Sequence, residues 1–327
     1  MAGKVRELKE IRKEAAIQLH ALFPDNEIIF VKAIRTMHSI ILIANVEDNA
    51  KKTSSKILVK YCKGLTIDQM NNEFYTQSMF YDKCKYDGVQ VPKPLKIVPH
   101  KRFIIMQYLE GVNFGHKLLQ MKSMDKDSLN ESINLSAFTL ARFHSMFTKE
   151  QSETESKAVP SLDNELNLES VNLNLATLKS NFEDYALRRI CKCYLDFTPR
   201  NIILLNSREL KIGLVDYPYR EYVFTPHLDL ARFRFSLRVM KQHPQFRFIK
   251  RDWWDSEEVF ERFLRKYASE SNTSPNEEDR VLIDWIETEY AKMLKSIYQE
   301  TTGSLRINLE RIYMKRFLGG YIERKRV

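Results

Sequence analysis

The sequence predicts an α+β fold made of two lobes. Strand-like runs rich in β-branched residues, with one helical pattern among them, occupy the first third of the chain. The rest consists mainly of amphipathic helical patterns, interrupted by one pair of short strands. Hydrophobic residues make up 43% of the 327 residues, enough for a large core. We expect an N-terminal lobe at 1–108 and a helical C-terminal lobe at 109–327.

The first lobe is predicted to begin with a helix and three strands. Residues 1–23 lack the charge pattern of a signal peptide and read as an amphipathic helix. The runs EIIFVKAI, SIILIANVED and SKILVKYC are separated by polar turns, which favours an antiparallel meander. A helix should follow from Thr66, because Thr66 and Gln69 have capping-box spacing and Gly88 lies just beyond its last turn. LKIV and RFIIMQYLEG then predict two more strands.

The second lobe is predicted to be mostly helical. SLNESINLSAFTLARFHSMF is a long amphipathic pattern, 149–165 is a polar loop, and 168–190 is helical again. The segment CYLDFTPRNIILL comes next and ends in a short strand, and LKIGLVDY predicts the strand that pairs with it. Everything after Pro226 has helical periodicity.

The cysteines and the length of the apolar runs indicate the cellular compartment in which the protein works. The four cysteines fit neither a disulfide framework nor a zinc spacing, so we expect reduced thiols in or near the core; they are Cys62, Cys84, Cys191 and Cys193. Apolar runs such as IILIA are too short to span a bilayer. We expect a cytoplasmic protein. Trp253 and Trp254 beside two cations leave contact with the inner face of a membrane open, although a helix start packed on the protein is the simpler interpretation.

Five polar residues on suitable elements supply the parts that phosphoryl transfer needs. Lys60 lies in the third strand, and Glu73 lies on the next helix among apolar neighbours, where a carboxylate needs a cationic partner. Asp196 and Asn201 lie five residues apart before a strand, and Asp216 follows the next strand. Local turn formation explains Asp196 and Asn201 alone, but it does not explain the other three. The set predicts a lysine that holds nucleotide phosphates and oxygen ligands for magnesium.

These segments resemble the protein-kinase-like phosphotransferases of the aminoglycoside phosphotransferase and choline kinase type. The matching pieces are ILVK, the helix with Glu73, FIIMQYLEG, LARFHSMF, LDFTPRNIIL, LVDY and HLDLARF, which together span about residues 28–236. The forms DFTPRN and DLARFRFSLR are also similar to kinases that act on envelope sugars and lipopolysaccharide cores. The resemblance implies a two-lobed fold with an antiparallel-sheet N-lobe that contains one key helix, and a mainly helical C-lobe.

The resemblance also implies a role for each polar residue. Asp196 would be the catalytic base, and Asn201 and Asp216 would bind Mg²⁺. Lys60 and Glu73 would form the phosphate-binding pair for ATP. The segment 106–109, with Met106 and Tyr108, would form the hinge that binds adenine.

Several positions depart from the protein-kinase pattern. Tyr194 stands where the family usually has histidine, Tyr217 follows the metal aspartate, and Thr198 replaces a lysine. These departures favour a small-molecule or glycan kinase over a protein kinase. The turn AIRTMHS between the first two strands contains no glycine, although phosphate loops use glycine to bring the backbone close to the anion.

Charge distribution gives an expectation about the acceptor. The net charge is +9, and residues 229–254 hold seven Lys or Arg against two Asp. Arg234, Arg238 and Lys241 share one helical face, which predicts an anionic acceptor: a phosphorylated or acidic sugar, or a glycan bearing such groups. The resemblance to kinases of envelope sugars implies that this acceptor belongs to the cell envelope. The alternative is that these cations pair with nearby acidic residues: Asp255, Glu257, Glu258 and Glu261.

Other functions stay open on sequence alone. A catalytically weak nucleotide-binding or regulatory module could keep the fold, and a nucleotidyl transferase could use the same motifs. Nucleic acid is an unlikely partner, because few aromatic residues alternate with the basic ones as stacking platforms. His144 is expected to be a satisfied core histidine, and His227 to orient a loop through Asp229.

Overall fold

The computed structural model describes residues 2–36, 39–48, 50–120, 124–147, 191–207, 209–218, 223–242, 253–300 and 317–323. Within them the chain is a mixture of helices and mainly antiparallel strands, so the predicted α+β class is confirmed. The predicted polar loop at 149–165 and helix at 168–190 lie outside the described residues.

The described part of the first 113 residues contains seven strands and two α-helices. In chain order they are α1 (Ala2–Leu22), β1 (Glu27–Arg35), β2 (Ser39–Asp48), β3 (Thr53–Cys62), α2 (Ile67–Lys83), β4 (Val89–Gln90), β5 (Pro94–Val98), β6 (Phe103–Gln107) and β7 (Gly111–Asn113). The later elements are α3 (Phe114–Leu119), α4 (Lys126–Met146), β8 (Cys191–Lys192), β9 (Ile202–Leu205), β10 (Ile212–Leu214), β11 (Val223–Phe224), α5 (His227–Lys241), α6 (Ser256–Glu270), α7 (Glu277–Glu300) and α8 (317–323).

The chain divides into two compact units that do not follow the predicted boundary at 108/109. One unit comprises Met1–Val112 and Ile203–Arg220, and the other comprises Asn113–Ile202 and Glu221–Val327. The physical reason is a four-stranded sheet with the order β4-β10-β9-β7, which carries the later hairpin back to the first unit. Asp216, at the end of that hairpin, therefore belongs to the same unit as Lys60.

The first unit is built on a five-stranded antiparallel sheet with the order β1-β2-β3-β6-β5. Its first three strands form the predicted meander. Ile11, Ala15 and Leu19 of α1 pack on one face, against alternate strand residues such as Leu42 and Val59. The opposite face packs on α2. Each strand therefore sends alternate side chains to two different environments.

The helix α2 begins as predicted and ends earlier. Thr66 Oγ1 accepts a hydrogen bond from the Gln69 amide, and Gln69 Oε1 accepts one from the Thr66 amide, which is a capping box. The last helical residue is Lys83, with Cys84 as the C-cap. Gly88, at φ 85°, instead opens the turn into β4.

The second unit has an aromatic core between its helices. Phe197 lies 5.7 Å from Phe233 of α5 between ring centroids, and Phe233 stacks on Phe263 of α6 at 4.1 Å. The four cysteines are reduced and buried in their two units, as expected. In the described residues, no helix combines the length and apolarity that crossing a bilayer requires.

Candidate functional site

Lys60 joins two carboxylates that are far apart in the sequence. Its Nζ lies 2.6 Å from Glu73 Oε1 and 3.1 Å from Asp216 Oδ1. Glu73 is only 1% exposed on the inner face of α2, whereas the Asp216 side chain is 52% exposed. The structure thus brings three of the predicted site residues of the first unit together.

The electrostatics of this group favour a charged lysine. Burial lowers the pKa of Lys60, but the carboxylates of Glu73 and Asp216 outweigh burial and hold that pKa well above its ordinary value. The group contains one more carboxylate than ammonium. A purely structural ion pair would need only Glu73, so the exposed Asp216 leaves a local excess of negative charge that a cation could neutralise.

Asp216 is fixed by an unusual backbone conformation and a tight strand. Its φ is 61°, in the left-handed region, two residues after β10 ends. Within β10, a Cβ on Gly213 would clash with Leu109 Cδ1. A larger residue at 213 would force the end of the Leu109 side chain or the strand to shift, so the strand that leads to Asp216 is in direct contact with the segment after β6.

That segment, 106–109, has one backbone donor available. The Gln107 amide donates to Lys93 O at 2.9 Å, and the Tyr108 amide donates to Lys56 O at 3.0 Å. No acceptor in the described part of the chain lies within hydrogen-bond distance of the Leu109 amide. The Tyr108 amide is therefore occupied by its hydrogen bond to β3. The Leu109 amide is the N–H group of this segment that a ligand could use.

Met106, the first residue of this segment, has a buried side chain. It packs in a buried cluster with Cys62, Met70 and Ile104. Gln77, one helical turn after Glu73 on α2, donates from Nε2 to Pro92 O at 2.8 Å, and the same nitrogen lies 3.5 Å from Met106 Sδ. These contacts fix the side chain of Met106 on the same sheet face as Lys60, where it packs against α2.

Strand registers define that face. One cross-strand row contains Ile34, Ile41, Lys60 and Ile104, and the neighbouring row contains Lys32, Ile43, Leu58 and Met106. Residues directly opposite each other in a sheet share a face. The face is therefore mainly apolar next to the 106–109 segment, and it carries Lys32 and Lys60. Ile104 and Met106 on it are buried in the cluster with α2.

Asp196 and Asn201 form the second group of predicted residues, in the second unit. Asn201 Nδ2 donates to both Asp196 O at 2.9 Å and Asp196 Oδ2 at 2.8 Å. The Asp196 side chain is exposed, and Asn201 is mostly buried in the 3₁₀ turn Pro199–Asn201. Because its amide nitrogen is occupied, Asn201 presents its oxygen, Oδ1, as the remaining ligand atom.

The aspartate that fixes this loop was not identified as a site residue from the sequence. Asp229 is fully buried, and its Oδ2 accepts a hydrogen bond from the Tyr194 amide at 2.6 Å. Its Oδ1 accepts one from the Leu195 amide at 2.7 Å. His144 Nε2 lies 2.9 Å from Asp229 Oδ2, and His144 Nδ1 lies 2.7 Å from Tyr267 Oη. His144 is a satisfied core histidine, as expected, and part of the support of the loop.

His227 does not orient a loop through Asp229, so that interpretation was wrong. Its Nδ1 lies 2.6 Å from Thr225 Oγ1 and its Nε2 lies 2.6 Å from Asp279 Oδ1. It therefore ties the start of α5 to the start of α7. Asp229 was missed because its partners are backbone amides about 35 positions earlier, and a sequence shows no signal for such pairs.

Tyr194, one of the departures from the family pattern, is a core residue. It is fully buried, and its ring packs edge-on against Phe143 at 5.1 Å and against Phe197 at 5.7 Å between centroids. The tyrosine thus anchors the residues before Asp196 in the aromatic core.

The predicted acceptor-binding arginines are paired with acidic residues. Arg238 binds Glu257 and the buried Glu287 at 2.7 and 2.9 Å, and Arg234 binds Glu257 at 3.0 Å and also Asp284. Of the acidic residues named as alternative partners, Glu257 is one that binds them. The positive face expected from Arg234 and Arg238 is therefore neutralised inside the helical unit.

Lys241 and Trp254 also have partners within the protein. Lys241 Nζ donates to Trp254 O, and Trp254 Nε1 donates to Leu118 O at 3.3 Å. Trp254 is buried, which fits a helix start packed on the protein and not a membrane anchor at this residue. The cations at 247, 250 and 251 lie outside the described residues.

No known protein family matches the chain, and no curated protein is significantly similar to it. A function for this chain is therefore inferred from its residues alone. Among the described residues, no cluster of three or more His, Cys, Asp or Glu side chains forms a metal centre.

Proposed function

We propose that this protein is a phosphotransferase of the protein-kinase-like type, which transfers the γ-phosphoryl group of ATP to an alcohol hydroxyl in the presence of Mg²⁺. The two units would correspond to the two lobes of that fold. The residues involved are Lys60, Glu73 and Asp216 of the first unit and Asp196 and Asn201 of the second.

The contact of Lys60 with both Glu73 and Asp216 carries the proposal. A buried glutamate that fixes a lysine is explained by structure alone, but the third group is an exposed aspartate held at φ 61°. Such a backbone conformation costs about 1–3 kcal/mol for a residue other than glycine. An exposed ion pair returns only about 0–1 kcal/mol, so stability does not explain this placement. A function in ligand binding does.

In this proposal each residue has a separate task. Lys60, oriented by Glu73, binds phosphate oxygens of ATP. Asp196 accepts the proton of the acceptor hydroxyl, and its exposure leaves it open to a substrate. The Leu109 amide is the backbone donor for the adenine ring, in place of the Tyr108 amide, which the sheet uses.

The donor atoms fit magnesium. Mg²⁺ prefers oxygen ligands and is usually held by one or two protein side chains together with substrate phosphates. The resemblance assigns Mg²⁺ to Asp216, which has an exposed carboxylate, and to Asn201, whose Oδ1 remains as a donor because its nitrogen is bound to Asp196. When bound, the ion would neutralise charge on the phosphate oxygens.

For the acceptor we propose a hydroxyl of a small molecule or a glycan. The ion pairs of Arg234 and Arg238 remove the reason for requiring a negative charge on it. The departures at Tyr194 and Tyr217 still favour such an acceptor over a protein substrate.

The proposal is tested by a transfer assay with γ-labelled ATP, Mg²⁺ and a panel of sugars, glycans and amino alcohols. Wild type should label at least one acceptor. The variant Asp196→Asn should bind ATP as wild type does but transfer about 10²–10⁴-fold more slowly, because it lacks the base. Transfer by Asp196→Asn within a few-fold of wild type would show that the base is a different residue.

A further inference from the structure

A bulge in β1 places Lys32 on the sheet face that carries Lys60, Leu58 and Met106. Strict alternation from Ile29 would place Val31 on the face of Ile29 and Lys32 on the face covered by α1. The register instead shifts between Phe30 and Lys32, so that Phe30 is opposite Ala44 and Lys32 is opposite Ile43. A bulge re-aims the side chains that follow it.

Packing on the other face agrees with this register. Ile28, Phe30 and Ala33 contact the core beneath α1, so the face under α1 takes residues on both sides of the bulge. Lys32 lies between Phe30 and Ala33 and points to the opposite face, in the row of Leu58 and Met106. A lysine there stabilises no core, and it is exposed.

Two backbone N–H groups of the turn that follows β1, those of Thr36 and Ser39, are already hydrogen-bonded. The Thr36 amide donates to Ser39 O at 2.9 Å, and the Ser39 amide donates to Thr36 Oγ1 at 3.0 Å. Thr36 Oγ1 also lies 2.8 Å from Ser39 Oγ. Phosphate loops bind through free backbone N–H groups, and those of Thr36 and Ser39 are already taken.

We propose that Lys32 is a second phosphate-binding cation, which acts with Lys60 on the phosphate chain of the nucleotide in place of a glycine-rich turn. This inference rests on the proposed function, since it assigns a further residue to the same nucleotide site. Its ligand class is a nucleoside diphosphate or triphosphate.

The spacing of the two lysines suits this role. Lys32 and Leu58 are in one row, two strands apart, and Lys60 lies two residues beyond Leu58. Neighbouring strands lie about 4.8 Å apart and alternate residues about 6.8 Å, so the two Cα atoms are about 12 Å apart. Two flexible lysine stems on one face can converge on a phosphate chain that lies between them.

The charged surroundings leave Lys32 available. In the described residues, no carboxylate lies within 4 Å of its ammonium group, whereas Lys56 on the same face is paired with Glu110. Glu27 and Glu47 lie opposite each other on β1 and β2. Their row is two same-face rows farther from the β1–β2 turn than the row of Lys32. Row spacing puts them well over 10 Å from Lys32 along the strand, a distance at which exposed charges are largely screened.

The test is calorimetric titration of the full-length protein with ATP, ADP and adenosine. Lys32→Met should raise the Kd for ATP and ADP by roughly tenfold, the lower range for a hydrogen bond to a charged group, and leave the Kd for adenosine unchanged. Lys32→Arg should keep the affinity within about threefold of wild type, because it retains the charge. Lys9→Met, which removes an exposed lysine from α1, is the matched charge control and should have no effect.

The outcomes separate this inference from the function on which it depends. If wild type binds ATP but Lys32→Met binds it equally well while Lys60→Met does not, Lys32 has no such role and the proposed function stands. A loss of adenosine affinity in Lys32→Met would also contradict a phosphate contact. If wild type binds no nucleotide at all, both proposals fail.

Discussion

Asp229 holds Leu195 in a strained conformation next to the proposed catalytic base. Asp229 Oδ1 accepts a hydrogen bond from the Leu195 amide at 2.7 Å, and Leu195 has φ 68°. A bulky residue adopts this left-handed region only when its surroundings impose it, at a cost of about 1–3 kcal/mol. The strain lies one residue before Asp196, so Asp229 acts as a positioning residue for the base.

The first prediction follows from that contact. Asp229→Asn keeps the size of the side chain but loses its charge and places an N–H₂ group against one of two backbone amides. We expect the free energy of unfolding to fall by about 3 kcal/mol and kcat to fall at least tenfold. The Kd for ATP should stay unchanged, because Asp229 belongs to the second unit, whereas Lys60, Asp216 and Leu109 belong to the first.

Tyr267→Phe serves as the control for Asp229. It removes the hydrogen bond to His144, two contacts from the loop, and should cost about 1 kcal/mol with little change in kcat. A merely structural role for Asp229 would leave the kcat of the folded Asp229→Asn protein equal to that of wild type.

The second prediction concerns Gly213 and the adenine-binding segment. Gly213→Ala adds a methyl group against Leu109 Cδ1, so Leu109 must move or β10 must shift. We expect a loss of about 1–3 kcal/mol in stability and weaker binding of adenosine as well as ATP. Gly320→Ala, where no atom lies within 4 Å of the added Cβ, should be neutral or slightly stabilising. Unchanged adenosine binding in a folded Gly213→Ala protein would remove Leu109 from the site.

The third prediction distinguishes two roles for Arg238. Removing its charge in Arg238→Met leaves Glu287, which is fully buried, without its closest cation. We expect the free energy of unfolding to fall by about 3–5 kcal/mol, measured by urea denaturation. The double variant Arg238→Met/Glu287→Gln should recover part of that loss. If Arg238→Met instead kept full stability and raised only the KM of the acceptor, the arginine would be a substrate ligand.

The fourth prediction is a pH dependence that comes from Glu257. Burial raises the pKa of Glu257, but Arg238 and Arg234 outweigh it and lower that pKa to about 2 from an ordinary value of 4.5. A carboxyl with a lowered folded-state pKa contributes stability above pH 4.5 and loses it as the pH falls toward 2. Wild type should therefore lose stability more steeply over that range than Glu257→Gln. Glu258→Gln is the matched control, and its slope should equal that of wild type.

Local patterns made the strands and the capping of α2 predictable. The β-branched runs set β1, β2 and β3, and the spacing of Thr66 and Gln69 sets the start of α2, because these signals involve neighbours in sequence. Lys60, Glu73 and Asp216 were selected by the chemistry that their order implies, and the structure brings the three together. Whether they act on ATP stays a prediction.

Features that depend on distant partners could not be predicted. The pairing of Arg234 with Asp284 could not be predicted, because Asp284 lies 50 positions later and such an ion pair has no periodicity. The bulge in β1 moves Lys32 to the other face, although alternation in FVKAI gives no sign of it. The hairpin of β9 and β10 returns to the unit that contains Lys60 because β10 pairs with β4, and this pairing brings Asp216 into that unit.

The most direct test of the central claim is calorimetric titration of ATP into wild type and Asp216→Ala, each with Mg²⁺ and with EDTA. If Asp216 and ATP phosphates share a magnesium ion, wild type should bind ATP at least tenfold more tightly with Mg²⁺. Asp216→Ala should lose that enhancement while its affinity for adenosine stays unchanged. Absence of ATP binding by wild type, or an equal magnesium enhancement in Asp216→Ala, would contradict the proposed kinase site.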